Sequence, residues 1–312
     1  MTSVQICEVS PRDGLQNEAT PVSTGDKIEL IERAVQAGIR RIEVTSFVHP
    51  AKVPQMADAE SVMAAIPRHE GVLYSGLVMN HRGLERALAA GVHEINIVVV
   101  ATDSFCQRNQ GTSTEEASDL AAALVALARE AETRSTVTIG AAFGCPFEGE
   151  VSISRLREVV SRVVDAGPDE LALADTIGAA VPTEVIERVG LARTLAGPTL
   201  PLRLHLHDTR HTGVANAVAA VASGVSILDA SIGGTGGCPF APNGTGNVAT
   251  EDLVYLFDRM QISTGVELAA VLDTTEWLEG RLKKPLPGAL LRAGDFPRRK
   301  PRRLPAQRES VA

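Results

Sequence analysis

The chain has 312 residues, of which 44% are apolar and 22% are charged, and its formal net charge is −8. This balance is typical of a globular chain that buries a core, and it excludes a largely disordered protein. Because aromatic residues make up only 3% of the chain and the net charge is negative, general binding of nucleic acid is disfavoured.

The cysteines and the N-terminal residues bear on the cellular compartment. Cys7, Cys106, Cys145 and Cys238 are too far apart in sequence for a zinc knuckle or a C-x-x-C redox site. The first strand-like run starts at Val4, which leaves no room for a secretory leader, and no uncharged apolar stretch is long enough to cross a bilayer. We therefore expect a soluble cytoplasmic protein with no membrane partner.

Short β-branched runs alternate along the chain with longer segments of helical period. The pattern predicts strands at residues 4–9, 40–45, 72–78, 93–100, 136–143, 170–175, 202–207 and 226–232. Helices are predicted at about 24–37, 55–66, 81–90, 114–132, 152–166, 183–196, 212–222 and 248–261. Eight βα units in series predict a closed (β/α)8 TIM barrel, with a doubly wound open sheet as the main alternative.

The C-terminal part is predicted to extend the barrel. Val266 to Leu282 has the period of a further helix, and Pro285 and Pro287 end it. We therefore place a barrel domain at residues 1–282 and a Pro/Arg-rich tail at residues 283–312. A solvated, partly disordered tail is the simplest interpretation, and contact with an anionic ligand or a neighbouring subunit is the alternative.

Polar and reactive residues follow nearly every predicted strand at the same end. In a barrel these strand ends meet at one mouth, where catalytic groups gather. The residues are Arg12, Asp13, Glu43, Ser46, Asn80, Asp103, Ser104, Cys145, Asp175, Thr176, His205, His207, Asp208 and Asn247. Their distribution predicts an active site at this mouth.

The strongest local signal is the pair His205 and His207. Side chains two apart on a strand share a face, so both imidazoles are expected to point into the barrel while Leu204 and Leu206 point outward. Such a pair lacks only an oxygen ligand to hold a divalent cation, and Asp13 and Asn247 are candidates at the same end. The alternative is a hydrogen-bonded pair of interior histidines.

Arg12, Asp13 and Glu43 form a second candidate group. Pro-Arg-Asp-Gly is commonly an ordinary turn, but here Asp13 is predicted to ligate a metal while Arg12 offers fixed donors to an oxyanion or enolate. Glu43 alternates with apolar Ile42 and Val44, which places it inside the barrel, where a buried carboxylate needs a partner such as Arg12. The alternative for Glu43 is an unrelated buried ion pair.

The last candidate group consists of Cys238 and Asn247, which lie among glycines. The segment from Gly233 to Cys238 lacks the ending of a P-loop, so we interpret it as a hinged lid that carries Cys238 onto the substrate, rather than as a phosphate cradle. A half-buried structural cysteine is the alternative. Asn247 precedes a predicted helix, and capping of that helix competes with metal ligation as its role.

Taken together, these motifs resemble the 3-hydroxy-3-methylglutaryl-CoA (HMG-CoA) lyase family, in the barrel superfamily that also holds isopropylmalate and homocitrate synthases. The resemblance runs in order from about residue 4 to residue 282. The segments that carry it are EVSPRDGLQNE (8–18), IEVTSF (42–47), VPQM (53–56), FGCPFEG (143–149), ADTIG (174–178), HLHDT (205–209), GGCPF (236–240) and GNVATED (246–252).

The resemblance implies metal-dependent retro-Claisen cleavage of a tertiary 3-hydroxyacyl-CoA to acetyl-CoA and a ketoacid such as acetoacetate. It implies that Mg²⁺ or Mn²⁺ is held by Asp13, His205, His207 and Asn247. The implied catalytic residues are Arg12 for the enolate, Cys238 and His205 for proton transfer, and Glu43 and Asp175 in support. The expected substrate contacts are Arg12, Gln16, Ser46, Asn109, Thr176 and Arg210. We also expect a homo-oligomer, a dimer or larger, with an acyl-CoA substrate.

The sequence departs from the family pattern near the substrate. Arg210, His211 and Thr212 replace the usual Tyr-Gly-Gln, Ala19 stands where a lysine is common, and His49 replaces serine. The substrate alternatives are therefore a citramalyl-like or longer branched acyl-CoA. A Claisen-type synthase and, from a different class, a metal-dependent hydrolase are the other candidates.

Overall fold

The predicted (β/α)8 barrel is present in the computed structural model, which describes residues 3–237 and 246–297. Every strand pair is parallel, and β1 pairs with β8, so the sheet is closed and the doubly wound alternative is excluded. The strands are β1 (Gln5–Glu8), β2 (Arg41–Ser46), β3 (Leu73–Val78), β4 (Glu94–Val100), β5 (Arg134–Gly140), β6 (Glu170–Asp175), β7 (Leu202–Leu206) and β8 (Ile227–Ala230).

The helices surround this sheet. They are α1 (Thr24–Gln36), α2 (Ala59–Ala65), α3 (His81–Ala89), α4 (Asp103–Gln110), α5 (Thr114–Glu130), α6 (Ile153–Ala166), α7 (Pro182–Ala196), α8 (Gly213–Ala222), α9 (Thr250–Arg259), α10 (Leu268–Leu282) and α11 (Leu290–Ala293). Helix α4 was not predicted, because its sequence is polar and buries only Phe105 and Cys106. Of the helices in the described chain, none has the length and apolar character of a bilayer span.

Charged side chains fill the barrel interior at the N-terminal end of the strands. Arg41 donates to Glu94 at 2.7 Å and to Glu170 at 2.8 Å, and Arg203 Nε lies 3.3 Å from Glu170. All four residues are almost fully buried. Breaking such a buried pair typically costs about 3–5 kcal/mol. This layer supports the mouth, because Arg203 precedes His205 by two positions on the same face of β7.

The chain continues to pack on the barrel beyond α10. Leu286, in the stretch that the sequence assigns to the tail, is buried, and Arg292 donates from α11 to the Leu286 carbonyl oxygen at 2.9 Å. Main-chain N–H groups of Ala289 and Leu290 donate to the Asp252 carboxylate. Residues 283–297 are therefore in part a structural extension of the barrel. Residues 298–312, the rest of the predicted tail, lie outside the described residues.

Candidate active site

His205 and His207 lie together inside the mouth of the barrel, as the alternation predicts. Their Nε2 atoms are 3.2 Å apart, and Nδ1 of His205 is 3.0 Å from Oδ2 of Asp229 on β8. A carboxylate at Nδ1 binds the ring proton there, which leaves the Nε2 lone pair of His205 facing the site. This is the arrangement of a metal-ligating histidine.

Burial and neighbouring charge set the protonation of the two rings. For His205, burial lowers the pKa, but the hydrogen bond to Asp229 and the charge of Asp13 together raise it more. For His207, burial and the adjacent His205 lower the pKa to about 4. His207 is therefore neutral near neutral pH, and neutral imidazole is the form that binds metal ions.

Asp13 brings a carboxylate to the histidine pair from a π-helical turn, Ser10–Gly14, that follows β1. Its Oδ2 is 3.9 Å from His205 Nε2, and the ligand atoms of Asp13, His205 and His207 all lie within 4.8 Å of one another. Burial acts to raise the pKa of Asp13, but Arg12 and the two histidines lower it well below its usual range. Asp13 is therefore ionised, as a metal ligand must be.

Asn247 completes the group with its side-chain amide. Its Nδ2 donates to Asp13 Oδ2 at 2.8 Å and to the Thr235 carbonyl oxygen at 3.0 Å. These two bonds fix the amide so that Oδ1, which is buried, has no hydrogen-bond partner among the described residues. The capping alternative is wrong, because Ala249 occupies the N-cap position of α9.

The four side chains fit a divalent cation. A carboxylate oxygen, two imidazole nitrogens and an amide oxygen form a donor set for a hard or borderline metal ion. The unpartnered Asn247 Oδ1 favours this interpretation over a pair of interior histidines, because a buried amide oxygen without a partner costs about 1–3 kcal/mol. A cation held beside it would remove that cost.

Arg12 lies beside this group and is held in one orientation. Its Nε donates to Glu43 Oε2 at 2.8 Å and its Nη1 donates to Asp13 Oδ1 at 2.5 Å. Asn96 on β4 donates to the other Glu43 oxygen at 2.9 Å. Burial acts to lower the pKa of Arg12, but Glu43 and Asp13 raise it more, so the side chain stays a cation. Arg12 lies in the π-helical turn and reaches Glu43 on β2 from there, which is the pairing that the sequence predicts.

Asp175, Thr176 and Arg210 organise the loop after β6. The Asp175 carboxylate accepts from the main chain of Ala179 and Ala180, and burial raises its pKa. Thr176 Oγ1 accepts from Ala141 at 2.8 Å, and Arg210 donates to the carbonyl oxygens that follow Thr176. These contacts stabilise the rim of the mouth, and the predicted catalytic and substrate roles of the three residues stay predictions.

The remaining predicted residues differ in their position. Ser46 Oγ and Gln16 Oε1 are buried atoms without hydrogen-bond partners among the described residues, and the predicted substrate roles of both residues stay predictions. Asn109 is exposed on α4. Cys238 lies outside the described residues.

The first part of the predicted lid is a hydrogen-bonded turn. Ile232–Gly234 forms a 3-10 turn in which Gly233 and Gly234 have positive φ. The N–H of Ile232 donates to Glu8 and that of Gly233 donates to Glu251, each at 3.0 Å. The carboxylates therefore occupy these two N–H groups, which is unfavourable for a phosphate cradle at this turn.

Sequence reasoning missed the residues that support the site. Asp229 orients His205, Asn96 orients Glu43, and Glu8 and Glu251 hold the turn. A signal existed for Asp229, Asn96 and Glu8, because each is a polar residue within a short apolar strand and must find an interior partner. Glu251 gave no such signal, since an acidic residue in the first turn of a helix is ordinarily exposed.

The fold and the site define a (β/α)8 barrel with a candidate metal centre of two histidines, an aspartate and an asparagine beside a buried arginine. The profile of the HMGL-like family matches residues 3–278. The chain belongs to the HMGL-like family, which confirms the resemblance that the sequence motifs carry.

Named relatives align with nearly the whole chain. An (R)-citramalyl-CoA lyase of Chloroflexus aurantiacus is 42% identical over 307 residues, which cover 94% of this chain and 96% of the relative. The hydroxymethylglutaryl-CoA lyase YngG of Bacillus subtilis is 42% identical over 284 residues, covering 91% of this chain and 95% of the relative. Both names describe carbon–carbon lyases, which agrees with the enzyme class predicted from the sequence.

A solved structure also matches closely. An HMG-CoA lyase from Acinetobacter baumannii, in complex with coenzyme A and 3-methylmalate, superimposes with a TM-score of 0.91 and 36% sequence identity. The match covers 96% of this chain and 98% of that chain.

Proposed function

We propose that this protein is a divalent-metal-dependent lyase that cleaves HMG-CoA, or a close analogue, to acetyl-CoA and a ketoacid such as acetoacetate. The observation that carries the proposal is the group formed by Asp13, His205, His207 and the unpartnered Asn247 Oδ1, in direct contact with Arg12. The named relatives support the same reaction class. We expect the enzyme to be a homo-oligomer.

Asp13, His205, His207 and Asn247 would hold Mg²⁺ or Mn²⁺. When bound, the cation supplies Lewis acidity that lowers the pKa of the substrate hydroxyl group. The resemblance to the lyase family implies both metal ligation and proton transfer for His205. Because Asp229 occupies its Nδ1, proton transfer would need Nε2, the atom that faces Asp13 and His207. We therefore favour ligation for His205 and proton delivery by Cys238.

The proposed chemistry is a retro-Claisen cleavage. A base removes the proton of the C3 hydroxyl group, the C2–C3 bond breaks, and its electron pair passes to the thioester as an enolate. The C3 oxygen becomes the carbonyl oxygen of the ketoacid, and a proton delivered to C2 completes acetyl-CoA. Cys238 is the proposed donor of that proton.

Arg12 is the proposed stabiliser of the enolate. Glu43 and Asp13 hold its guanidinium group from two sides, so little reorganisation is needed when negative charge develops on the thioester oxygen. Preorganised donors of this kind typically contribute about 10²–10³ in turnover. Asn96 and Glu43 act on the reaction through Arg12.

A second substrate is favoured by a specific observation, the 42% identity to an (R)-citramalyl-CoA lyase across 96% of that protein. A citramalyl group is one methylene shorter than the HMG group, and its cleavage would yield pyruvate in place of acetoacetate. A pocket distinguishes substrates that differ by one methylene by only about 10–200-fold. Both substrates are therefore candidates for this site.

The experiment is a comparison of the two thioesters with the purified protein. Acetyl-CoA release is measured with HMG-CoA and with citramalyl-CoA, each with Mg²⁺, with Mn²⁺ and after chelation. We expect metal-dependent release from at least one of them, and the ratio of the two kcat/KM values assigns the preferred substrate. Absence of acetyl-CoA from both substrates, with metal bound, would contradict the proposal.

A further inference from the structure

The C-terminal extension packs directly on the turn that leads away from β8. Leu286 is buried against Gly233 so closely that a Cβ atom on that glycine would lie 2.3 Å from Leu286 Cδ1. The N–H of Gly288 donates to the Gly233 carbonyl oxygen at 3.0 Å. Gly233 therefore has to be glycine, because it has a positive φ and Leu286 fills the space beside it.

Two buried glutamate side chains hold the same turn from the barrel side. Glu251 accepts from the N–H of Gly233, and Glu8 accepts from the N–H of Ile232. A Cβ atom on Gly288 would lie 2.1 Å from Glu251 Oε1. The turn is thus enclosed between the segment Leu286–Gly288 on one side and Glu8 and Glu251 on the other.

The turn ends in Thr235, whose carbonyl oxygen accepts from Asn247 Nδ2. Thr235 Oγ1 is 2.6 Å from Ser231 Oγ and donates to the Ile232 carbonyl oxygen at 3.1 Å, so its main chain is fixed with the turn. The bond to Thr235 is one of the two that hold the Asn247 amide and leave its Oδ1 without a partner among the described residues. A shift of the turn would therefore rotate or release that amide.

We propose that Leu286 is a positioning residue for Asn247, and that the C-terminal extension sets the metal affinity of the site through the turn. The inference rests on the proposed metal-dependent function. Leu286 acts at a distance, by packing on Gly233, and the turn transmits its position to the Thr235 carbonyl oxygen. Changes to groups that orient a metal ligand typically weaken metal binding about 10–100-fold.

The test measures Mn²⁺ binding to the full-length protein by calorimetry and by electron paramagnetic resonance. We expect Leu286→Ala to weaken Mn²⁺ affinity about tenfold and Leu286→Met, which preserves volume, to restore it. The matched control is Leu156→Ala, since Leu156 is equally buried on α6, across the barrel from β1. Leu156→Ala should lower the thermal midpoint without changing Mn²⁺ affinity.

Equal Mn²⁺ affinity in Leu286→Ala, Leu156→Ala and the wild type would overturn the inference. If Leu286→Ala does not fold, Leu286→Val replaces it, with an expected loss of about threefold, and unchanged affinity there overturns the inference as well. Failure of the proposed function gives a different result. If the wild-type protein itself binds no Mn²⁺, the proposed metal site is wrong, and the positioning role of Leu286 is overturned together with it.

Discussion

The candidate metal site has two halves that are held in different ways. His205 and His207 belong to β7 and to the residue that follows it, where backbone pairing to β6 and β8 fixes the strand and Asp229 orients one ring. Asp13 and Asn247 lie on segments outside the strands. The Asp13–Asn247 half depends on side chains that bond to side chains and to main-chain groups.

We call His205 and His207 the strand half of the site, and Asp13 and Asn247 the loop half. The two halves should differ in how strongly a change in their supporting residues weakens metal binding. The strand half inherits its geometry from the closed barrel and from the buried ionic layer that contains Arg203. The loop half inherits its geometry from side-chain hydrogen bonds, from the main-chain bonds that join the residues flanking Asn247 to those flanking His207, and from the packing of Leu286 on Gly233. Changes in the supports of the loop half should therefore alter metal affinity at little cost to the fold.

The largest effect on turnover is expected at Arg12, which contacts Asp13 in its own turn and Glu43 on strand β2. Arg12→Lys should lower turnover by about 10²–10³ or more, because a lysine cannot bind Glu43 and Asp13 with one planar fork and still face the enolate. Mn²⁺ affinity should change only a few-fold, because a lysine keeps a positive charge beside Asp13. The measurement pairs steady-state turnover with Mn²⁺ titration, and turnover near that of the wild type would refute the enolate role.

Asp229→Asn tests the strand half alone. An asparagine amide does not require a proton on His205 Nδ1, so in part of the population the ring proton moves to Nε2. The Nε2 lone pair is then lost in those molecules, and Mn²⁺ affinity should fall about 10–100-fold. Burial acts to raise the pKa of Asp229, but Arg203 and His205 lower it more, so the wild-type group is a carboxylate. Asp169→Asn is the control, because Asp169 binds Ser135 at the opposite end of the barrel. Equal affinity in both variants would contradict the role of Asp229.

The sequence predicts the strand half better than the loop half, and the reason is periodicity. Alternation along residues 202–207 places His205 and His207 on the interior face, and the same rule places Glu43 on the interior face of β2. Asn247 could be named only by its ligand type and by the resemblance, because one bond that orients it comes from Asp13, far away in sequence, and the other from the Thr235 main chain, whose turn has no periodic pattern. The support from Leu286 was missed because the two prolines around it suggested a tail.

Thr235→Val tests the loop half by removing one hydroxyl group. The variant loses the hydrogen bonds to Ser231 and Ile232, which should cost about 1–3 kcal/mol of stability in total and loosen the carbonyl that binds Asn247. Mn²⁺ affinity should fall about two- to fivefold. The matched control is Thr274→Val on α10, where an equally buried hydroxyl group donates to Ala270. If both variants lose stability and neither changes affinity, the turn does not position Asn247.

The smallest effect on metal binding is expected at Glu251. This residue should instead make the stability of the folded protein depend on pH. Burial raises the pKa of Glu251 to about 8 in the folded protein, against about 4.3 in an unfolded chain. The folded state then holds a proton that the unfolded state releases, so stability is fully present below about pH 4.3 and is lost as the pH rises toward 8. At about 1.4 kcal/mol for each pH unit between these two values, the loss is on the order of 5 kcal/mol.

Glu251→Gln replaces the neutral acid by a neutral amide of the same shape, so this variant should lack that loss. The measurement is the thermal midpoint at pH 5 and at pH 8 for the wild type, Glu251→Gln and Glu158→Gln, where Glu158 is an exposed residue of α6. We expect the wild type and Glu158→Gln to lose stability by the same amount between the two pH values, and Glu251→Gln to lose less. A parallel loss in all three proteins would mean that Glu251 is ionised throughout, and that the loop half of the site rests on a buried charge.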